Sequence, residues 1–203
     1  NGVSSSLYLG LSKDLVGDRE QELQNPLITI KKSLPSLGRV STSGSLRLTV
    51  PVTEASVDTQ GLITALRLRG SFSLDISKYT LSGLSLLYRP FITKNFHKYN
   101  TASNDKINTS YTLGNTFYVL YSLTPKLSTY LASSYYRTMD YRKNEKDGFA
   151  FDLSASYELT KSLGLSAGYN VGGSALAVNG RDSNVQLYDE DLASYYLGLG
   201  FSY

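Results

Sequence analysis

The sequence predicts an all-β chain: a single domain over residues 1–203, folded as an antiparallel up-and-down transmembrane β-barrel of about ten strands. Eight strands is the alternative, if the weakest strand and its partner do not span. Three observations lead there. Apolar residues recur at every second position in about ten separate stretches, as in strands with two unlike faces. The opposite face of those stretches is built largely of Ser, Thr and Gly, where a soluble sheet exposes charged side chains. Short and long connections alternate along the chain, and charges gather in the long ones.

Composition narrows the alternatives. The 203 residues carry a formal charge of +3, 17 Tyr and 17 Gly, with no Cys and no Trp. Without cysteine there is neither a disulfide framework nor a thiolate metal site. Acids and bases are interspersed, which excludes the basic footprint of a nucleic-acid partner. Two windows, Ile107 to Pro125 and Ser162 to Gly180, lack charge altogether. Gly, Ser, Thr and Asn interrupt both, and their apolar residues alternate, so neither reads as a membrane helix. The opening N-G-V-S-S-S has no basic and apolar leader, so an exported chain is expected here in mature form, its signal peptide removed.

Taken in order, Val3 to Leu15 sets Leu7, Leu9 and Leu11 against Ser6, Tyr8, Gly10 and Ser12. A charged loop follows over Val16 to Gln24. Pro26 to Leu34 is the weakest strand, Ile28 and Ile30 opposing Thr29 and Lys31, and Leu34 to Gly38 makes a turn. Val40 to Val52 resumes with Leu46, Leu48 and Val50 against Ser43, Ser45 and Arg47. After the loop Thr53 to Gln60, Leu62 to Ile76 sets Leu66, Leu68, Phe72 and Leu74 against Arg67, Arg69, Ser71 and Ser73.

Ser77 and Lys78 turn into Tyr79 to Ile92, where Leu84, Leu86 and Tyr88 oppose Ser85 and Arg89 and Leu87 breaks the rule. Thr93 to Lys106 is polar and reads as a loop. Asn108 to Leu123 and Leu127 to Tyr141 are strands, two parities competing in the second because Tyr130 and Tyr136 oppose Leu131 and Tyr135. Arg142 to Asp147 is a charged loop, and Phe149 to Leu159 a clear strand, Phe149, Phe151, Leu153 and Tyr157 against Asp152, Ser154, Ser156 and Glu158. Leu163 to Val171 and a long loop, Gly172 to Leu192, complete the circuit.

Aromatic residues collect towards strand ends. Tyr79, Tyr121, Tyr157, Phe201 and Tyr203 fall at the short-turn end; Tyr88, Phe91, Tyr111, Tyr135, Phe149 and Tyr169 fall towards the long-loop end. Two belts of amphipathic rings are what membrane interfaces select.

The last stretch, Ala193 to Tyr203, reads A-S-Y-Y-L-G-L-G-F-S-Y. Tyr195, Leu197, Leu199, Phe201 and Tyr203 share one face, with Ser194, Tyr196, Gly198, Gly200 and Ser202 on the other. This ending resembles the terminal strand of bacterial outer-membrane β-barrels. The resemblance implies that those five residues are read by the barrel-assembly machinery, that the chain sits in the outer membrane among lipopolysaccharide and phospholipid, and that both termini are periplasmic. It is expected to be a monomer.

Enzymes occur among such barrels, omptin proteases and lipid A acyltransferases and deacylases included, and their chemistry needs a histidine oriented by a carboxylate. His97 is the only histidine, with Ser103 and Asp105 in the same polar stretch. Lys98 and Tyr99 follow it, so the His-x-Ser arrangement of the deacylases is missing. No catalytic residue is assigned and no enzyme is expected, His97 being the residue an enzymatic alternative would use. Asp182, Asp189, Glu190 and Asp191 lack the spacing of a calcium loop, and Gly168, Gly172 and Gly173 lack a phosphate-loop lysine, so neither metal nor cofactor is expected.

The informative constellation lies on the polar faces. Lys31, Arg47, Arg67, Arg69 and Arg89 come from four successive strands, and Asp152 with Glu158 from one farther round. In a closed barrel all seven point inward. Either they border a narrow passage with a positive wall that favours small anions, or they pair across and plug it. The expected function is a structural or restrictive, anion-leaning channel; docking or adhesion through the loops Thr93 to Lys106 and Gly172 to Leu192 is the other reading.

Overall fold

A computed structural model describes residues 2–13, 21–76, 82–177, 181–189 and 192–201. The strands in chain order are β1 (Val3–Tyr8), β2 (Leu11–Lys13), β3 (Gln21–Leu23), β4 (Leu27–Leu37), β5 (Val40–Thr49), β6 (Leu62–Asp75), β7 (Leu84–His97), β8 (Thr109–Ser122), β9 (Leu127–Asp140), β10 (Glu145–Thr160), β11 (Leu163–Ser174) and β12 (Ser194–Phe201). Ten of them form one antiparallel up-and-down sheet in the order β1-β4-β5-β6-β7-β8-β9-β10-β11-β12. β2 and β3 pair with each other as a small hairpin inside the first long connection. No described helix is long and apolar enough to cross a membrane.

The period-two pattern maps onto two faces. Leu46, Leu68, Ile92 and Leu113 are consecutive cross-strand partners, so the apolar face is a continuous band running over β5 to β8. That face is exposed: Leu153 shows 53% of its surface and Leu197 81%. A soluble sheet would bury it against a second layer. The core lies instead among small and polar residues, with Ala132, Thr93, Ser110 and Ser154 buried on the opposite face.

Several boundaries move. β7 begins at Leu84 and runs to His97, so Thr93 to His97, read from sequence as loop, is strand. Its alternation continues through Ile92, Lys94 and Phe96, and the single lysine disguises the apolar parity. The loop expected over Arg142 to Asp147 shrinks to residues 141–144, because β10 starts at Glu145 and its charges are strand residues facing Arg137 of β9. The turn expected over Leu34 to Gly38 is tighter, β4 continuing to Leu37 with residues 38–39 turning.

Long connections at residues 9–26, 50–61, 98–108 and 175–193 share one end of the sheet, as strand parity requires, and the four-residue turn at 141–144 is the exception on that end. The Ser77 and Lys78 turn, Tyr79 and part of the first charged loop lie outside the described residues.

Closure is the other difference. Pairing runs unbroken from β1 to β12, and among the described residues those two do not pair. They are also short, six and eight residues against fourteen for each of β6 to β9, so a closing seam would hold the fewest hydrogen bonds.

Small residues on the polar face make room for tyrosine rings. Gly168 is the cross-strand partner of Tyr196, and Gly148 of Tyr136. A Cβ at either glycine would collide with the partner's ring. Replacing Gly168 with Val should therefore displace Tyr196 and destabilise the sheet by about 1–3 kcal/mol, the usual cost of overpacking. A lowered unfolding midpoint in denaturant for the detergent-folded chain is the readout.

Candidate functional site: an arginine patch below a loop-covered rim

Arginine is concentrated where β5, β6 and β7 meet. Arg47 and Arg67 are direct cross-strand partners, Arg69 stands two residues along β6 on the same face, and Arg89 on β7 shares it. Like charges in directly opposed positions destabilise a sheet. Local groups offset part of that. Arg67 Nε donates to Thr93 Oγ1 at 2.7 Å, and its guanidinium lies 4.6 Å from the centre of the Phe91 ring. Arg89 lies 4.9 Å from the centre of the Tyr118 ring, and Arg47 Nε reaches Thr29 Oγ1 at 3.4 Å. Arg89 Nε is buried and has no hydrogen-bond partner. Lys31 on β4 belongs to the same face, its neighbour Ser45 pairing in turn with Arg69.

The acidic side is handled separately. Tyr196 donates its hydroxyl to Asp152 Oδ1 at 3.0 Å, so in the 3.3 Å contact between the two phenols Tyr130 is the donor to Tyr196. Phenols, not guanidinium groups, satisfy this carboxylate. Glu158 is exposed near the short-turn end, opposite Gly164. Among the described residues no ion pair joins either acid to the arginines. Arg137 pairs with Asp147 at 2.7 Å and with Glu145 at 3.1 Å, on the apolar-parity face near the long-loop end.

Above the arginines the rim is built from two long connections. Asn108, 5% exposed, donates Nδ2 to the carbonyls of Gln60 at 2.8 Å and Tyr99 at 2.9 Å, tying residues 50–61 to residues 98–108. Backbone bonds from Ser103 to Thr59 and from Lys98 to Gly61 repeat the link. A cavity of about 380 Å³ lies there, with Gln60, Asn95, His97, Asn104 and Lys106 in its wall. Of these, Asn95 and His97 continue the strand face that carries Thr93 and Arg89.

His97 is thus the last residue of a strand and not a free loop residue. Tyr141 donates its hydroxyl to the Asn95 carbonyl at 3.0 Å, which leaves it only acceptor capacity towards His97 Nδ1 at 3.3 Å. The neutral ring therefore carries its proton on Nδ1. Ser103 and Asp105 use their backbone N–H groups within the rim, donating to the carbonyls of Thr59 and Ala102. Among the described residues no group of three potential metal ligands is gathered. Asp182 and Asp189 accept backbone bonds within the last loop, while Glu190 and Asp191 lie outside the described residues.

Of the terminal-strand residues, Tyr195, Leu197 and Leu199 lie exposed on β12, and Phe201 pairs with Leu163. Tyr203 lies outside the described residues. Sequence reasoning missed Tyr118, Tyr130, Phe91 and Asn108 as working parts. The first three stand on the polar parity of their strands, an anomaly visible in the sequence; Asn108 gave no signal, because its partners lie in other segments.

No protein-family model matches the chain, and no curated protein matches it. Solved structures do. The chain is similar to the NanC porin, with a TM-score of 0.61 at 14% identity, over 99% of this chain and 94% of that one. It is similar also to the loop L8 deletion mutant of OmpT, an outer membrane protein of Vibrio cholerae, with a TM-score of 0.51 at 10% identity; the match covers 98% of this chain but 62% of OmpT.

Because Asn108, itself buried, bonds the carbonyls of Gln60 and Tyr99, Asn108→Ala should remove both bonds, a loss of about 0.5–1.5 kcal/mol for each. Faster proteolytic cleavage within residues 50–61 and 98–108 of the folded protein is the expected result. The ten-stranded antiparallel sheet, its exposed apolar face and these two likenesses together give the chain the fold of outer-membrane β-barrel proteins.

Proposed function

We propose that the chain is a barrel of the bacterial outer membrane whose interior passes small solutes restrictively and favours anions. The observation that carries this reading is the arginine patch: Arg47, Arg67, Arg69 and Arg89 share one face, and among the described residues no carboxylate lies within ion-pair distance of them. In a closed barrel, with the exposed leucines turned to lipid, that face lines the lumen and gives it a positive field. Gly164 and Gly200, paired on the far strands β11 and β12, leave space opposite. The linked loops at the rim limit what reaches it.

Closure between β1 and β12 belongs to this proposal, since unpaired strand edges are too costly in hydrocarbon. So do a monomeric state, periplasmic termini, contact with lipopolysaccharide and phospholipid, and a role in assembly for the face of Tyr195, Leu197 and Leu199. A non-enzymatic role is supported by the surroundings of His97, whose ring is held by a phenol instead of a carboxylate.

Reconstitution into planar bilayers tests the channel. The wild-type chain should give small steps with anion preference, and Arg67→Glu combined with Arg69→Glu should turn that preference towards cations. Unchanged selectivity in the double variant would remove the positive-wall reading, and absence of steps at any voltage would leave a purely structural role. An unboiled sample should migrate differently from a boiled one on a gel. A chain that folds stably with neither detergent nor lipid would sink the membrane assignment.

A further inference from the structure

The apolar face of the sheet is exposed nearly everywhere, yet on two adjacent strands it is covered. Phe149 on β10 and Val171 on β11 have the same parity as Leu153 and Leu165, but they are 3% and 0% exposed. The cover is the last long connection. Tyr188 stacks on Tyr169 with ring centres 6.4 Å apart, and Tyr169 donates its hydroxyl to the Leu187 carbonyl at 3.0 Å. Leu192 lies over Gly173, where an added Cβ would meet its Cδ1 at 3.2 Å. Tyr169 and Gly173 both have the outer parity of β11, so this loop folds down the outside of the wall and not across the mouth. Backbone bonds from Asn184 to Ala175 and from Ala193 to Asp189 hold its course.

Having covered one apolar patch, the loop presents another. Val185, Leu187, Tyr188 and Leu192 are all exposed. They stand beside the exposed Tyr195 of β12, whose ring packs 5.3 Å from Tyr169. We propose that residues 181–189, together with Leu192, form an interfacial anchor: a segment laid on the outer wall whose apolar residues sit in the headgroup and upper acyl region of the outer leaflet. The argument for lipid as the occupant is continuity. The loop lies at the long-loop end of the face that carries Leu153 and Leu165, and its tyrosines have an apolar body and a polar tip, the side-chain type that settles at that depth. This inference rests on the membrane reading above, and the test separates the two.

The chain has no tryptophan, so one introduced ring reports without background. Leu187→Trp and, as a mid-wall reference, Leu153→Trp are each refolded as the full chain into phosphatidylcholine vesicles with bromine at defined acyl-chain depths. Both should emit to the blue of water-exposed tryptophan and be quenched, Leu187→Trp most by bromine near the headgroups. Adding Tyr188→Ala to the Leu187→Trp chain should reduce its quenching as the loop loses its stacked contact. Quenching of Leu153→Trp with water-like, unquenched emission from Leu187→Trp overturns the anchor and leaves the barrel. Blue-shifted but unquenched emission from Leu187→Trp, with concentration-dependent crosslinking between chains, assigns the surface to a second copy and overturns the lipid proposal. If Leu153→Trp is itself unquenched in folded protein, the membrane reading falls and the anchor falls with it.

Discussion

On the membrane reading, every other feature of this chain depends on one constraint: a peptide group surrounded by hydrocarbon must find its hydrogen-bond partner on another part of the same chain. The antiparallel ladder from β1 to β12 meets that demand everywhere but at its two outer edges, with segments that are long, adjacent in sequence and joined by the shortest connections at one end. Pro90, with no N–H to give, sits inside β7, where the recorded pairing with β6 stops at Phe91 with Arg69 and resumes at Tyr88 with Phe72. The lapse is tolerable because β7 keeps its other ladder, in which Pro90 stands opposite Asn115 of β8. Two neighbours on β7 are thus more than redundancy. They allow a local defect beside Arg89 at small cost.

The same constraint divides the two faces chemically. The exposed face is filled by leucine and tyrosine without further specification, whereas the other face must fit its own contents. Large rings there require glycine on the next strand, as Tyr196 does over Gly168. Charges require local partners, and the two signs receive different ones: arginines lie over Phe91 and Tyr118 or bond threonine hydroxyls, while Asp152 is held by Tyr196. Mutual neutralisation across the interior would satisfy both and leave no field. Separate satisfaction by neutral groups keeps the positive patch positive, at the small stability cost of opposing Arg47 to Arg67.

Face parity was legible in the sequence because it is a local property, and Phe149 to Leu159 shows it at a glance. Strand ends were harder for a reason that is also local. Lys94 has the apolar parity of β7 yet lies 4.0 Å from the centre of the Tyr111 ring, its stem covering apolar surface, so one charge hid five residues of strand. Glu145 and Asp147 misled similarly, since their partner Arg137 sits across the hairpin and only the register reveals it. Alternation alone places the seven charged residues on the polar parity of their strands. What they bond to was not legible, because Thr93, Tyr118 and Tyr196 acquire their roles through neighbours twenty or more residues away. Asn108 and the cover over Phe149 are wholly non-local, and no pattern in their own segments announces them.

The long connections consequently do unlike things, and the difference bears on how a solute would travel. Residues 50–61 and 98–108 are bound together over the sector of β6 to β8, directly above Thr93 and the arginines. The described part of the last connection turns outward over β10 and β11, and among the described residues no such link crosses their inner faces, Asn170, Gly172 and Ser174 among them. On the channel reading, the open part of the mouth therefore lies over the glycine and serine wall, and the basic patch is roofed. A solute would descend beside small, uncharged residues and meet the guanidinium groups from the side, below the rim. On that reading the arrangement would select by size before it selects by charge, because the two linked connections would limit the approach while the field of the arginines, confined beneath them, would act only on what had already entered.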